Sequence, residues 1–293
     1  MSYRALRAGV VLLLAGCGPR SAPEPAPRTP DTEHVEAMAR EHAHDDAGAN
    51  AAAQPPAQDV VTRMVSYASV AGQPINGYLA RPMETGGQPL PAILVIHEWW
   101  GLNDNVRMMT RRLAGEGYTA LAVDLYGGRA AEEPQAARAL MMGVTQNPEP
   151  AVENLRQAAA WLRREERAPK LATLGWCFGG GWSLRAGLAL PEQVDAVVIY
   201  YGQPISDPER LRPLDAPVLG LFGAEDAGIP VAEVRSMESA LAALGKPATI
   251  QVYEGADHGF ANPSGRAYNA AAADDAWRRT TAFLAQHLKG AMP

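Results

Sequence analysis

From residue 59 onward, the spacing of apolar and polar positions alternates between a strand period and a helix period. "RMVSYASV" and "PINGYLARP" flank the turn-like "AGQ" and predict an opening β-hairpin. "PAILVIHE" is a continuous apolar run, as expected of a strand covered on both faces. A helical stretch over 105–114 follows and is ended by the glycines of "GEGY". The strand "TALAVDLY" leads to helical segments over 132–142 and 151–164, then to the strand "LATLGW" and a helix after Cys177. "DAVVIYYG", "PVLGLFGAED", a helix over 231–244, "ATIQVYEG" and a last helix over 270–288 complete the series. This alternation predicts an α/β fold: a mostly parallel, doubly wound sheet with helices on both faces, in one domain over 59–293.

The chain before that domain has a different pattern. Arg4 and Arg7 precede the short apolar run "AGVVLLLAG", and Cys17 follows. Residues 1–16 therefore read as a secretory signal, too short to span a bilayer. "LAGC" resembles the bacterial lipoprotein cleavage box, which implies acylation of Cys17 and an anchor in the lipid bilayer. Gly18 after the cysteine implies an outer-membrane address facing the periplasm. Residues 17–58 are rich in Pro, Ala and charge and predict a flexible tether, with a short helix over 33–41. His34, His42 and His44 beside Asp45 and Asp46 could hold a metal weakly, but a solvated linker is the simpler expectation.

Composition narrows the partners. Apolar residues make up 47% and charged residues 20%, and the net charge of -6 leaves no basic footprint for nucleic acid. The expected form is a monomer. With Cys17 lipidated, Cys177 is the one remaining cysteine of two, and a lone thiol in an oxidising compartment calls for an explanation.

"GWCFGG" supplies one. Gly175-Trp176-Cys177-Phe178-Gly179 fits G-x-S-x-G with sulfur for oxygen, between a strand and a helix, which is the setting of a nucleophile elbow. A helix N-terminus there favours the thiolate; the alternative is a buried structural cysteine. Asp226 in "FGAED" and His258 in "GADHGF" follow in the triad order, each just past a predicted strand. His258 would deprotonate Cys177 and Asp226 would orient the imidazole, although Glu225 and Asp257 are competing acids. Glu98 and Trp99 in "HEWWGLN" fall in the loop that completes an oxyanion hole, predicted from the backbone N–H groups of Phe178 and Trp99. A carboxylate at Glu98 would oppose thiolate formation, unless it pairs with Arg107.

Together "HEWWGLN", "RLAGEGYTALAVDLYGG", "GWCFGG", "YYG", "FGAEDAGIP" and "GADHGF" resemble the dienelactone hydrolase family over about 65–288. The resemblance implies an α/β-hydrolase fold, no cofactor and no metal, and hydrolysis of small lactones or esters through a cysteine acyl-enzyme. It implies Cys177 as nucleophile, His258 as base, Asp226 as its orienter and Glu98 as the resting partner of the thiol. The family's substrate-gripping arginines are not matched: Asn262 stands at one position with Arg266 four residues on, and Arg138 lies out of register with the other. Trp99, Trp100, Trp176, Phe178, Tyr201 and Phe260 suggest a more apolar pocket and a less charged substrate. A carboxylesterase or thioesterase and a catalytically silent ligand-binding lipoprotein are the competing readings. A redox thiol is weakened by the lack of a second cysteine to resolve a sulfenic acid.

Overall fold

A computed structural model describes residues 29–44 and 55–290. The expected signal, Cys17, and Asp45 and Asp46 of the histidine tract lie outside the described residues. The first elements of the domain are β1 (Val60–Val70) and β2 (Gln73–Pro82), an antiparallel pair. Their turn is tighter than expected, because Ala71 and Gly72 both take positive φ (50° and 75°) and Gln73 already belongs to the strand. Two positive-φ residues give the primed turn whose twist matches its strands. Then follow β3 (Ala92–Ile96), α2 (Asp104–Gly115), β4 (Thr119–Val123), α3 (Pro134–Gln146), α4 (Glu149–Glu165), β5 (Leu171–Trp176) and α5 (Phe178–Ala189). The chain ends with β6 (Ala196–Tyr200), α6 (Pro208–Leu211), β7 (Val218–Gly223), α7 (Val231–Ala243), β8 (Ala248–Tyr253) and α8 (Ala270–Leu284), the last extended by a π turn over Ala285–Lys289.

The eight strands form one sheet in the order β1-β2-β4-β3-β5-β6-β7-β8. β1, β2 and β4 pair antiparallel, and every pair from β4 to β8 is parallel. β3, β4, β5, β6 and β7 are buried along their whole length, which explains their unbroken apolar runs. The chain leaves β3 toward β4 on one side and returns to β5 on the other, so the right-handed crossovers put their helices on opposite faces. α4 and α5 touch each other on one face. On the other, α2 meets α8, where the Arg112 guanidinium lies 3.8 Å over the Trp277 ring. The doubly wound sheet is therefore as expected. Its switch point lies between the carboxyl ends of β3 and β5, where such folds hold their ligands.

One segment departs from expectation. Residues 29–44, read as part of a solvated tether, carry helix α1 (Pro30–Glu41), which starts three residues earlier than predicted and packs into the body. The start is fixed by a capping box between Thr29 and Thr32, with Pro30 in the first turn. Val35 and Met38, three apart on one helix face, are fully buried. This two-residue apolar stripe is hidden when composition is averaged over a long polar stretch. Residues 55–58 also touch the body, since Gln58 donates to the Gly115 carbonyl at 2.8 Å.

Candidate active site

β5 ends at Trp176, and Cys177 turns the chain into α5 with φ 57° and ψ -123°. A non-glycine residue in this conformation is strained by roughly 1–3 kcal/mol, so its surroundings must hold it. The Cys177 N–H donates to the Tyr200 carbonyl at 3.0 Å, and the Cys177 carbonyl accepts from Gly180 and Gly181 at 2.9 and 3.2 Å. The glycines permit the close approach. A Cβ on Gly175 would overlap the backbone of Gly179, and one on Gly179 would overlap the carbonyl oxygens of Ile96 and His97. Thus α5 is pressed against the ends of β3 and β5, with the thiol, 6% exposed, at the bottom of a cleft.

His258 and Asp226 meet there. Asp226 follows β7, and its two oxygens are both engaged: Oδ1 accepts from the Ile229 N–H at 2.8 Å, and Oδ2 contacts His258 Nδ1 at 2.7 Å. The contact fixes Nδ1 as the protonated nitrogen of a neutral ring. Burial alone would lower the His258 pKa, but the negative charge of Asp226 and the hydrogen bond to it, with the Cys177 sulfur beside the ring, hold it well above the ordinary histidine value. Burial would raise the Asp226 carboxyl, yet the His258 charge and hydrogen bond and the Ile229 N–H hold it below its usual range. Nε2 is buried and has no hydrogen bond of ordinary geometry among the described residues. Glu225 is exposed on the same loop, and Asp257 accepts only the His258 N–H, at 2.6 Å, so neither competes with Asp226.

Glu98 follows β3 and is 6% exposed. Burial raises its pKa, offset in part by the His258 charge and by two amides. Those amides are Asn105 and Asn262, whose Nδ2 groups donate to Oε2 at 3.3 and 3.1 Å. Arg107 is not its partner, pairing with Asp104 at 2.8 Å. Among the described residues no hydrogen bond joins the Cys177 thiol to Glu98; the carboxylate is held by asparagines instead. His97, a buried residue that sequence reading passed over, braces this loop: Nδ1 reaches the Glu98 carbonyl at 2.6 Å and Nε2 accepts from the Leu125 N–H at 3.1 Å. The N–H groups of Trp99 and Phe178 take no part in the backbone hydrogen bonds of the surrounding turns.

The cleft measures about 320 Å³. It gathers Cys177, His258, Glu98, Trp99, Trp100 and Arg266 from the expected residues, and adds Asn262, Asp257, Glu41 and His42. Tyr201, Phe260, Phe178 and Trp176 are not in its lining. Tyr201 backs the His258 ring at 5.0 Å between centroids, with Phe260 behind it at 5.3 Å. Phe178 stacks on His97, and Trp176 packs on Tyr200. These four aromatics are core: each is buried and packs against other rings behind the opening. Arg138 on α3 is also outside the cleft, bound through Nε to Glu36 of α1 at 2.9 Å. Glu41, Asp226 and Asp257 bring carboxylate oxygens within 4.8 Å of one another, but both Asp226 oxygens already have partners. Among the described residues His34, His42 and His44 do not form such a cluster.

A mostly parallel sheet with a strained strand-to-helix turn at Cys177, and with an acid and a histidine in contact after later strands, has the form of an α/β-hydrolase fold. Residues 75–288 match the dienelactone hydrolase family, and the chain belongs to it. A protein of Escherichia coli K12 provisionally named a carboxymethylenebutenolidase is 32% identical over 249 residues, covering 80% of this chain and 90% of its own. A protein of the same provisional name from Saccharolobus solfataricus is 29% identical over 253 residues, covering 73% and 94%. Among solved structures, a provisionally named dienelactone hydrolase from Klebsiella pneumoniae superposes with a TM-score of 0.71 at 32% identity, covering 78% of this chain and 100% of that one. The protein is accordingly a hydrolase of the dienelactone hydrolase type.

Proposed function

We propose that the protein hydrolyses a small, uncharged ester or lactone through Cys177, His258 and Asp226. The observation that carries this reading is the His258–Asp226 contact at 2.7 Å, formed beside a cysteine held at positive φ on an elbow. In the proposed cycle the Cys177 sulfur attacks the acyl carbonyl while His258 Nε2 takes the thiol proton. The developing oxyanion meets the N–H groups of Phe178 and Trp99. The alkoxide leaves with the proton from His258, giving a thioester at Cys177. Water, deprotonated by His258, then attacks the thioester; the acid departs and the thiol regains its proton.

The charge of the cleft supports an uncharged substrate. Asn262 offers a neutral amide, and that amide is turned to Glu98. Arg138 is occupied by Glu36, which leaves Arg266 against Glu41, Glu98 and Asp257 in the lining. A cleft of about 320 Å³ suits a small ligand. The test compares neutral p-nitrophenyl esters with anionic esters and with dienelactone, for the wild type beside Cys177→Ala. The alanine variant should keep its circular dichroism and lose at least about 10³-fold in kcat. Wild-type rates in that variant would refute the nucleophile, and turnover of dienelactone as efficient as that of neutral esters would refute the substrate class. The same reading places the enzyme in a bacterial cell envelope, held to the bilayer by lipid on Cys17.

A further inference from the structure

Helix α1 lies outside residues 75–288, the span matched to the family, yet its C-terminal end forms part of the cleft. Glu41 and His42 line it together with Cys177, Glu98, Trp99 and His258. The His42 ring lies 4.8 Å from the His258 ring and 5.9 Å from Trp99, between centroids. Glu41 stands at the exposed rim beside Asp226 and Asp257. Burial and the charges of those two carboxylates raise its pKa, with His258 and His42 opposing.

The helix is fastened along its length. Near its start, Asp31 pairs with Arg185 of α5 at 3.0 Å and accepts from Gln203 at 3.1 Å. In the middle, Val35 and Met38 are fully buried and Glu36 binds Arg138 of α3. At its end it lies against Gly228: a Cβ there would strike the Glu41 carboxylate and come within 3.1 Å of the Met38 sulfur. These anchors come from separate elements of the body, α5, the loop after β6, α3 and the loop after β7, and they hold the helix from its start to its end.

We propose that α1 is a resident cap of the active site, in which His42 limits the length of acyl group reaching Cys177 and Glu41 disfavours anionic ligands. This rests on the hydrolase reading above for its substrates, but access to the thiol can be measured without turnover. In the full chain, Cys177 is alkylated with neutral iodoacetamide or anionic iodoacetate, and the modified peptide is located by mass. Hydrolysis of p-nitrophenyl acetate and octanoate is followed in parallel, with kcat and KM resolved. His42→Ala, and Met38→Glu to undock the helix, should accelerate alkylation and raise the octanoate-to-acetate ratio of kcat/KM roughly tenfold. Glu41→Gln should raise the iodoacetate-to-iodoacetamide rate ratio about fivefold at low salt, with less effect at high salt. Unchanged alkylation and an unchanged ester ratio in both His42→Ala and Met38→Glu would overturn the cap. If the wild type is alkylated at Cys177 but hydrolyses none of the esters, the hydrolase reading fails, and the alkylation rates alone decide the cap.

Discussion

At position 262 the side chain reaching Glu98 is an amide, so this carboxylate is met by amides and not by a guanidinium. An arginine there would offer a planar fork of donors able to hold both Glu98 and a substrate carboxylate. Asn262→Arg should therefore raise kcat/KM for anionic esters relative to neutral ones by about tenfold or more. A ratio of p-nitrophenyl hemisuccinate to acetate turnover that stays at the wild-type value would remove Asn262 from the account of selectivity. Cys177, Asp226 and His258 were legible in the sequence because glycines and strand ends mark where backbones must turn. Asn262 was legible only as a departure; its hydrogen bond to Glu98 depends on two loops 164 positions apart. Of the six aromatic residues expected in the cleft, Trp99 and Trp100 line it and Trp176, Phe178, Tyr201 and Phe260 do not, since identity is written in the chain but direction is set by packing.

Among the elements, α1 has a built-in sensitivity to acid. Its half-buried His34 is lowered to about 4 by burial and then by the positive charges of His258 and Arg185, against the opposing charges of Asp226 and Asp31. Undocked, the same ring titrates near the ordinary histidine value of about 6.5. The undocked state thus binds more protons between these two values, and docking weakens as pH falls from 6.5 toward about 4. Above that window His34 is neutral in both states and docking is at full strength. Amide exchange of residues 30–41, corrected for its intrinsic pH dependence, should lose protection through the window while β5 and β6 keep theirs. Protection independent of pH, or equally dependent in His34→Gln, would refute the assignment. β3 to β7 were readable because both faces are covered and their apolar runs are unbroken. α6, with four residues, was not, because one turn is too short to show a period. α1 itself was foreseen only as a short helix in solvent, since two buried side chains do not stand out among so many charges.

On the scale of the whole chain, the described fold and the unmatched N-terminal stretch have different standing. The doubly wound sheet and the site at its switch point follow from the order of strands and helices. The proposed address at the N-terminus rests on sequence alone: Arg4 and Arg7, the apolar run after them, "LAGC" and Gly18. If that motif is used, mass analysis of the mature protein from bacterial membranes should find an acylated cysteine at Cys17 as the first residue. An unmodified N-terminus elsewhere would refute the anchor. Twelve positions separate Cys17 from Thr29, the first described residue, a reach of at most about 40 Å for a fully extended chain. A lipid at Cys17 would therefore keep Thr29 within that distance of the bilayer, and the cleft, at the far end of the 12-residue helix α1, up to about 18 Å beyond it.

The cleft thus draws on two separate parts of the chain. The chemistry proposed above rests on residues from Glu98 to His258, inside the span matched to the family. One wall is carried by residues 41 and 42, ahead of all of them. Two proteins could agree at each catalytic position and still prefer different substrates. A survey that sorts such proteins by their motifs alone would file together enzymes whose clefts differ in a wall contributed from ahead of those motifs.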